Sequence, residues 1–248
     1  VNTNHLIPVS ALQPLSLRDL DKVKLLNRVD SKFIFNIRHL PSILEEIRMD
    51  YNILEIESKR IFRYESLYFD TPDFLLYRHH HCGKPKRVKV RYRKYLDSGE
   101  VYFELKKKTR VGRTEKFRLR QTEISEQLNG AELGFMKKHD LQLGPLEGKM
   151  WIWFDRITLA NKTSQERVTL DMNLLMQSGD RSHVFPSLII AEVKQERYSR
   201  LSRIVEALRS RRISEMAISK YSLSVALLKE VKTNAFKQKI IKLNKTIN

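Results

Sequence analysis

The sequence predicts an α+β fold: an eight-stranded antiparallel β-barrel with helices packed outside and a basic lumen. Three observations carry that prediction. Apolar and charged residues alternate with period two in about eight separate runs. Short polar turns such as Asp97-Ser98-Gly99 and Arg110-Val111-Gly112 join successive runs as hairpins. Segments with helical spacing fall between the runs, and a barrel is the natural closure for so many strands.

Taken in order, Ser16 and Asp19 have capping-box-like spacing, with Asp in place of Glu, ahead of Leu17, Leu20, Val23 and Leu26, which predicts a helix. Arg28 to Asn36 follows as a strand. Pro41 to Met49 reads as a helix, with Pro in its first turn and Ile43, Leu44 and Ile47 on one side. Two strand-like runs flank Glu57-Ser58-Lys59, the second being Arg60 to Asp70, and Pro72 to His80 is a short helix. Arg87 to Tyr95, Glu100 to Lys108 and Arg113 to Gln121 form a meander. Residues 124–140 are helical. Trp151 to Ala160, Glu166 to Met176 and Leu188 to Glu196 are further strands. Ser199 to Arg211 is an amphipathic helix with Leu201, Ile204, Val205 and Leu208 inward, and a last helix from about Ser219 ends in a lysine-rich tail.

The chain of 248 residues carries no repeat or Gly/Ser linker and reads as one domain, 1–248. No apolar run approaches the ~20 residues of a membrane span, and Val1 to Gln13 lacks a secretory signal pattern. A single cysteine, Cys82, excludes an internal disulfide framework and fits a reducing, cytoplasmic setting. With 47 Lys+Arg against 29 Asp+Glu, the net charge of +18 calls for an anionic partner: nucleic acid, lipid or a phosphate compound.

The distribution of that charge narrows the choice. Alternate residues of a strand share a face. Arg87, Lys89, Arg91 and Arg93 therefore oppose Val88, Val90 and Tyr92; Glu104, Lys106 and Lys108 oppose Phe103 and Leu105; Lys116, Arg118 and Arg120 oppose Phe117 and Leu119. Residues 84–120 hold fifteen Lys/Arg and four Asp/Glu. A solvated outer face is the bland explanation. Against it, solvated faces mix signs, and like charges on neighbouring strands repel unless an anion lies between them. Asp30 with Lys32, Arg156, Arg167 with Asp171, and Glu192 with Lys194 extend the pattern to other strands. In a barrel these faces line the bore, and a cationic bore with a few acids suits polyphosphate plus a divalent metal.

Other signals have plainer explanations. His79-His80-His81-Cys82 lacks the spacing of a zinc site and reads as a structural or loop element. Arg209, Arg211 and Arg212 end a helix, where cations suit the dipole. Trp151 and Trp153 read as barrel packing. The tail lysines read as a solvated face, with peripheral contact to an anionic membrane as the alternative. No RNP-type, recognition-helix or zinc-finger pattern favours nucleic acid.

At the level of motifs the chain resembles the VTC (vacuolar transporter chaperone) domain, the polyphosphate polymerase branch of the triphosphate tunnel metalloenzymes (CYTH-like). The resembling elements are Arg28-Val-Asp30-Ser-Lys32-Phe33, Tyr68-Phe69-Asp70-Thr71, Arg87-Val-Lys89-Val-Arg91-Tyr-Arg93, Phe103-Glu104-Leu-Lys106, Lys116-Phe-Arg118, Phe154-Asp-Arg156, Val168-Thr-Leu-Asp171, Ala191-Glu192-Val-Lys194 and Ser219-Lys220-Tyr221. They occur in family order over a core of 27–225, leaving 226–248 as a basic tail. The resemblance implies a tunnel that binds the ATP triphosphate and a metal ion, Mn²⁺ or Mg²⁺, and makes inorganic polyphosphate from ATP. On that basis Arg91, Arg93 and Lys106 are expected to neutralise the transferring phosphoryl group. Lys32, Lys116, Arg156 and Lys220, which also match the family's ligands, are expected to hold the remaining phosphates, with Lys89, Arg118 and Lys194 added from the charge pattern of their strands. Glu192 is expected to bind the metal, with Glu104 a weaker candidate whose alternative is to pair with neighbouring lysines.

Two departures bear on the reaction. Relatives in the polymerase branch can carry a lysine three residues before the position of Lys220, where this chain has Ala217. Hydrolytic relatives begin with Glu-x-Glu-x-Lys, where this chain has Arg28, Asp30 and Lys32. The missing first carboxylate weakens a water-activating site and favours an ATP-dependent polymerase. A metal-dependent triphosphatase or short-polyphosphate hydrolase remains the nearest alternative, and a non-catalytic binder of polyphosphate or nucleic acid another. The partners expected are ATP and polyphosphate, with the oligomeric state left open.

Overall fold

A computed structural model describes residues 7–22, 28–110 and 113–247. Its short N-terminal elements are strand β1 (Gln13–Leu15) and helix α1 (Leu17–Lys22), which Ser16 caps through the Asp19 N–H, as predicted; Val23 and Leu26, expected to continue it, lie outside the described residues, as do Val111 and Gly112 of one turn. Strand β2 (Val29–Asn36) leads to α2 (Leu40–Ile47), which has Pro41 in its first turn and buries Leu40, Ile43, Leu44 and Ile47. After β3 (Tyr51–Leu54), β4 (Phe62–Asp70) and α3 (Leu75–His81) comes the meander β5 (Arg87–Tyr95), β6 (Val101–Lys108) and β7 (Thr114–Gln121). Gly99, at φ +72, closes the β5–β6 turn by donating its N–H to the Tyr95 carbonyl.

Helix α4 (Gly130–Lys138) is shorter than the span predicted, because Asn129 and Glu132 form a capping box that sets its start. Strands β8 (Glu147–Asn161), β9 (Glu166–Ser178), β10 (Arg181–Phe185) and β11 (Leu188–Gln195) follow, then α5 (Arg203–Ser210), α6 (Lys220–Leu228) and α7 (Lys237–Ile247). Ser202 caps α5, so the helix starts after Leu201; that residue, predicted inward, is 81% exposed.

Eight strands form one antiparallel path in the order β2-β11-β9-β8-β4-β5-β6-β7. To it are added β10 on β9, β3 on β8 and β1, which pairs with β3 in parallel. The sheet is not closed as a barrel: its ends, β2 and β7, do not pair. The free edge of β2 is instead taken by the segment before α6. Phe33 bridges Glu215, and the Met216 N–H donates to the Lys32 carbonyl at 2.7 Å. A backbone edge satisfied in this way has no remaining demand for β7.

The outer face is covered largely as expected. Phe33, Phe35, Ile157, Leu170 and Val193 pack with α2 and α5, and Val90, Phe103 and Leu105 pack with Met136 of α4. The inner face divides in two. Ile34, Leu174, Ile190, Met150 and Ile152 lie at one end, against Tyr221, Leu223 and Val225 of α6. Helix α6 therefore packs into the concave side rather than outside. The remainder of that side is charged.

Candidate active site

Strand alternation brings the charged residues into a belt. Lys32 of β2 stands opposite Glu192 of β11 in the register, and its Nζ donates to Oε1 at 2.7 Å, while Lys194 donates to Oε2. On β8, Arg156 grips Asp171 of β9 with a fork, Nε to Oδ1 at 2.6 Å and Nη2 to Oδ2 at 2.9 Å. Lys220, the first residue of α6, also donates to that Asp171 carboxylate. On β5, Arg91 donates through Nε and Nη2 to Glu104 of β6, at 2.8 and 2.6 Å, and through Nη1 to the Tyr68 hydroxyl at 2.5 Å. Lys116 of β7 completes this group, 2.5 Å from the other Glu104 oxygen.

Each belt carboxylate thus lies between two cations. Burial alone would raise Asp171, but Arg156 and Lys220 hold it well below the usual carboxylate range. Arg91, Arg93 and Lys116 do the same for Glu104, and Lys194 and Lys32 for Glu192.

The cations are in excess. Arg93 is 8% exposed and has no carboxylate partner among the described residues; its Nε reaches only the Ser66 hydroxyl, at 3.5 Å. Its guanidinium lies 5.4 Å from the Tyr64 ring centre and 5.8 Å from that of Phe154, two rings stacked on each other. Burial and the neighbouring Arg91 and Arg156 lower its pKa. Lys89 donates to the Ser219 hydroxyl at 2.7 Å, and burial together with Lys106, Lys32 and Arg91 pushes its pKa well down. Lys106 is exposed, yet partial desolvation lowers its pKa, with Glu192 of β11 opposing that shift and Lys32 of β2 adding to it. Lys89 of β5 and Asp171 of β9 meet consecutive residues, Ser219 and Lys220, at the start of α6, so the sheet curls round a shared interior. Lys116 and Lys194 are each brought down to about 8, first by burial.

The expected site residues therefore share one belt, with one exception of placement. Arg118 is exposed and covers the Tyr102 ring at 5.2 Å, at the outer margin. Asp171, Tyr64, Tyr68, Phe154 and Ser219 belong to the belt and were not among the expected site residues. The clue for Asp171 was a lone acid at an inward position between cationic strands. Ala217 is exposed, outside the belt. His80 ends near Lys89, Arg87, Lys239 and Lys108, and burial foremost lowers it to about 3, so it stays neutral.

Among the described residues no three His, Cys, Asp or Glu side chains converge as a ready metal cluster. A divalent cation would take fewer than three such ligands and complete its shell with phosphate oxygens and water, which suits Mg²⁺ or Mn²⁺. Asp171 and Glu104 are held by rigid guanidinium forks and their side chains are 4% and 2% exposed. Glu192 is held only by two lysines, whose flexible stems can swing away. Glu192 therefore fits a metal, and Glu104 fits a structural anchor for Arg91 and Lys116.

A curled antiparallel sheet with cations converging across its concave face is the architecture of a triphosphate tunnel protein. The VTC domain model matches residues 27–229, and the chain belongs to that family. Three solved structures show a similar outline. A candidate adenylate cyclase from Bacillus halodurans is 14% identical, with a TM-score of 0.49 over 78% of this chain and 94% of that one. The PH1819 protein from Pyrococcus horikoshii is 14% identical (TM-score 0.44, 79% and 95%). A candidate adenylyl cyclase from Hippeastrum, described as having a dominant triphosphatase activity, is 12% identical (TM-score 0.44, 83% and 99%). No curated protein matches the chain.

Proposed function

We propose that the chain is a metal-dependent phosphotransferase that moves the γ-phosphoryl group of ATP onto the end of a growing inorganic polyphosphate chain. Membership of the VTC domain family supports action on triphosphate or polyphosphate. The observation that carries the proposal is Arg93: a buried guanidinium flanked by cations, with Glu104 acting on it but no carboxylate bonded to it among the described residues, is costly unless an anion joins it.

Phosphoryl transfer needs positioning and charge neutralisation above all. Arg91, Arg93 and Lys106 neutralise the phosphoryl group in transit. Lys32, Lys89, Lys116, Arg156, Lys194 and Lys220 hold the flanking phosphates, and Arg118 meets them at the margin. A terminal polyphosphate oxygen attacks the γ-phosphorus, the bond from that phosphorus to the β–γ bridging oxygen breaks, and ADP leaves with the oxygen. The acceptor is already an anion, so no base is required. That suits a belt in which Glu104, Asp171 and Glu192 are each held low by the cations around them. A divalent metal held by Glu192 would supply further neutralisation of phosphate charge.

Incubation with ATP and Mn²⁺, with and without chelator, tests the proposal on a polyacrylamide gel. A metal-dependent ladder of long chains is expected. Stoichiometric orthophosphate without polymer would make the protein a hydrolase. Binding with steep salt dependence and no turnover would make it a binder. No helix among the described residues is long and apolar enough to cross a membrane.

A further inference from the structure

The three arginines that end α5 do not share one role. Arg211 is committed: it donates to Glu46 at 2.7 Å, to the Ala207 carbonyl at 2.7 Å and to Ser42 at 3.3 Å. Arg209 and Arg212 turn elsewhere and, with Arg200, line a pocket of about 340 Å³, within the range of roughly 300–1,000 Å³ of small-ligand sites. No hydrogen bond, ion pair or ring contact joins any of these three guanidinium groups to a described residue. Buried Phe33 and Ile213 also line the pocket, and Glu215 is its one carboxylate. Lys242 of α7 adds charge nearby through its bond to Ser214, another lining residue.

The backbone at Arg212 supplies an independent observation. The Ile213 N–H donates to the Leu208 carbonyl at 3.0 Å and the Arg212 N–H to the Arg209 carbonyl at 2.9 Å, which closes a Schellman motif. Its left-handed position is ordinarily glycine, yet Arg212 holds it at φ +56. Of the six non-glycine residues with positive φ among the described ones, Arg212 is the one that lines this pocket.

We propose that Arg200, Arg209 and Arg212 form a second anion site, outside the tunnel, for a compact, multiply charged phosphate compound. Guanidinium forks match phosphate oxygens in pairs, and three of them around one concavity exceed what a single carboxylate ligand needs. The site is separate from the belt: Phe33 and Lys32 are consecutive on β2 and point to opposite faces, so the pocket lies behind the strand that carries Lys32.

Calorimetric titration of the whole protein with inorganic pyrophosphate, at constant ionic strength, tests the proposal. Two classes of site are expected. Arg209→Ala combined with Arg212→Gly should weaken one class at least tenfold and leave the other intact, and Arg93→Ala should do the reverse. Arg212→Gly alone should keep or raise Tm, because it relieves the left-handed arginine, while still weakening the outer class. A single class abolished by Arg93→Ala, or a second class indifferent to the Arg209 and Arg212 changes, would overturn the proposal.

Discussion

Arg91 and Glu104 face each other directly across β5 and β6, and Arg91 delivers both Nε and Nη2 to the same Glu104 oxygen. The other oxygen is left to Lys116 on the next strand. One carboxylate with a side chain 2% exposed thus sets two cations of the belt. Removing it strands both. Glu104→Ala is expected to destabilise the protein by about 3–5 kcal/mol, the usual cost of breaking a buried ion pair. Glu104→Gln should keep more stability and still cut turnover about a hundredfold through a mispositioned Arg91. Thermal unfolding and steady-state rates check the pair of variants.

Arg93 should behave in the opposite way. Having no bonded carboxylate among the described residues, it contributes cost rather than stability to the ligand-free protein. Arg93→Met is expected to hold or raise Tm while abolishing turnover and the rise in Tm produced by triphosphate. Paired melts, with and without triphosphate, decide it.

The lysines give a pH signature. Lys116 and Lys194 sit at about 8 in the ligand-free site, so above that pH they are mostly neutral and must regain protons when a polyanion binds. Triphosphate affinity should therefore fall from about pH 7 to about pH 9, by up to roughly tenfold per lysine for each pH unit above 8. Stability of the ligand-free protein moves the other way. Lysines lowered in the folded state bind fewer protons there than in the unfolded chain, so stability rises between about 8 and the unfolded lysine value of about 10.4. Affinity measured across this range, beside melts without ligand, checks both signs.

Lys220 depends on a latch one residue away. Tyr221 donates to Asp70, which also accepts the N–H groups of Thr71 and of Leu76 and Tyr77 in α3. Tyr221→Phe removes one buried bond, at a cost of about 1–3 kcal/mol. Because α6 carries Lys220 into the belt, the variant should raise KM for ATP more than it lowers kcat.

Metal dependence should report on Glu192. Glu192→Gln is expected to raise the Mn²⁺ concentration for half-maximal activity by at least the roughly 10–100-fold cost of losing an outer-shell partner. The same change at Glu104 should act through Arg91 and leave metal affinity nearly unchanged. A metal titration of the two variants separates the roles.

Much of this architecture was legible because strand alternation is local. The inward sides of β5, β6 and β7 follow from Arg91, Lys106 and Lys116 standing two residues apart from like neighbours. What was not legible depends on distant parts of the chain. That β2 and β7 stay apart follows from Glu215 and Met216 occupying the β2 edge, a contact spanning some 180 residues of sequence. Strand β10 has Arg181 to Val184 all exposed and therefore no alternation to read. Helix α6 has Tyr221, Ser222, Leu223, Ser224 and Val225 buried in succession, so its place on the concave face leaves no single apolar stripe. Asp171 and Tyr68 stand in recognisable motifs, but their roles depend on Arg156, Lys220 and Arg91 arriving from other strands.

The fate of the γ-phosphate is the most direct test of the central claim. ATP labelled at that position, incubated with the protein and Mn²⁺, should transfer its label into acid-insoluble polymer as an equal amount of ADP appears, and Arg93→Ala should abolish both. Label released wholly as orthophosphate, or an unchanged yield of polymer from Arg93→Ala, would contradict it.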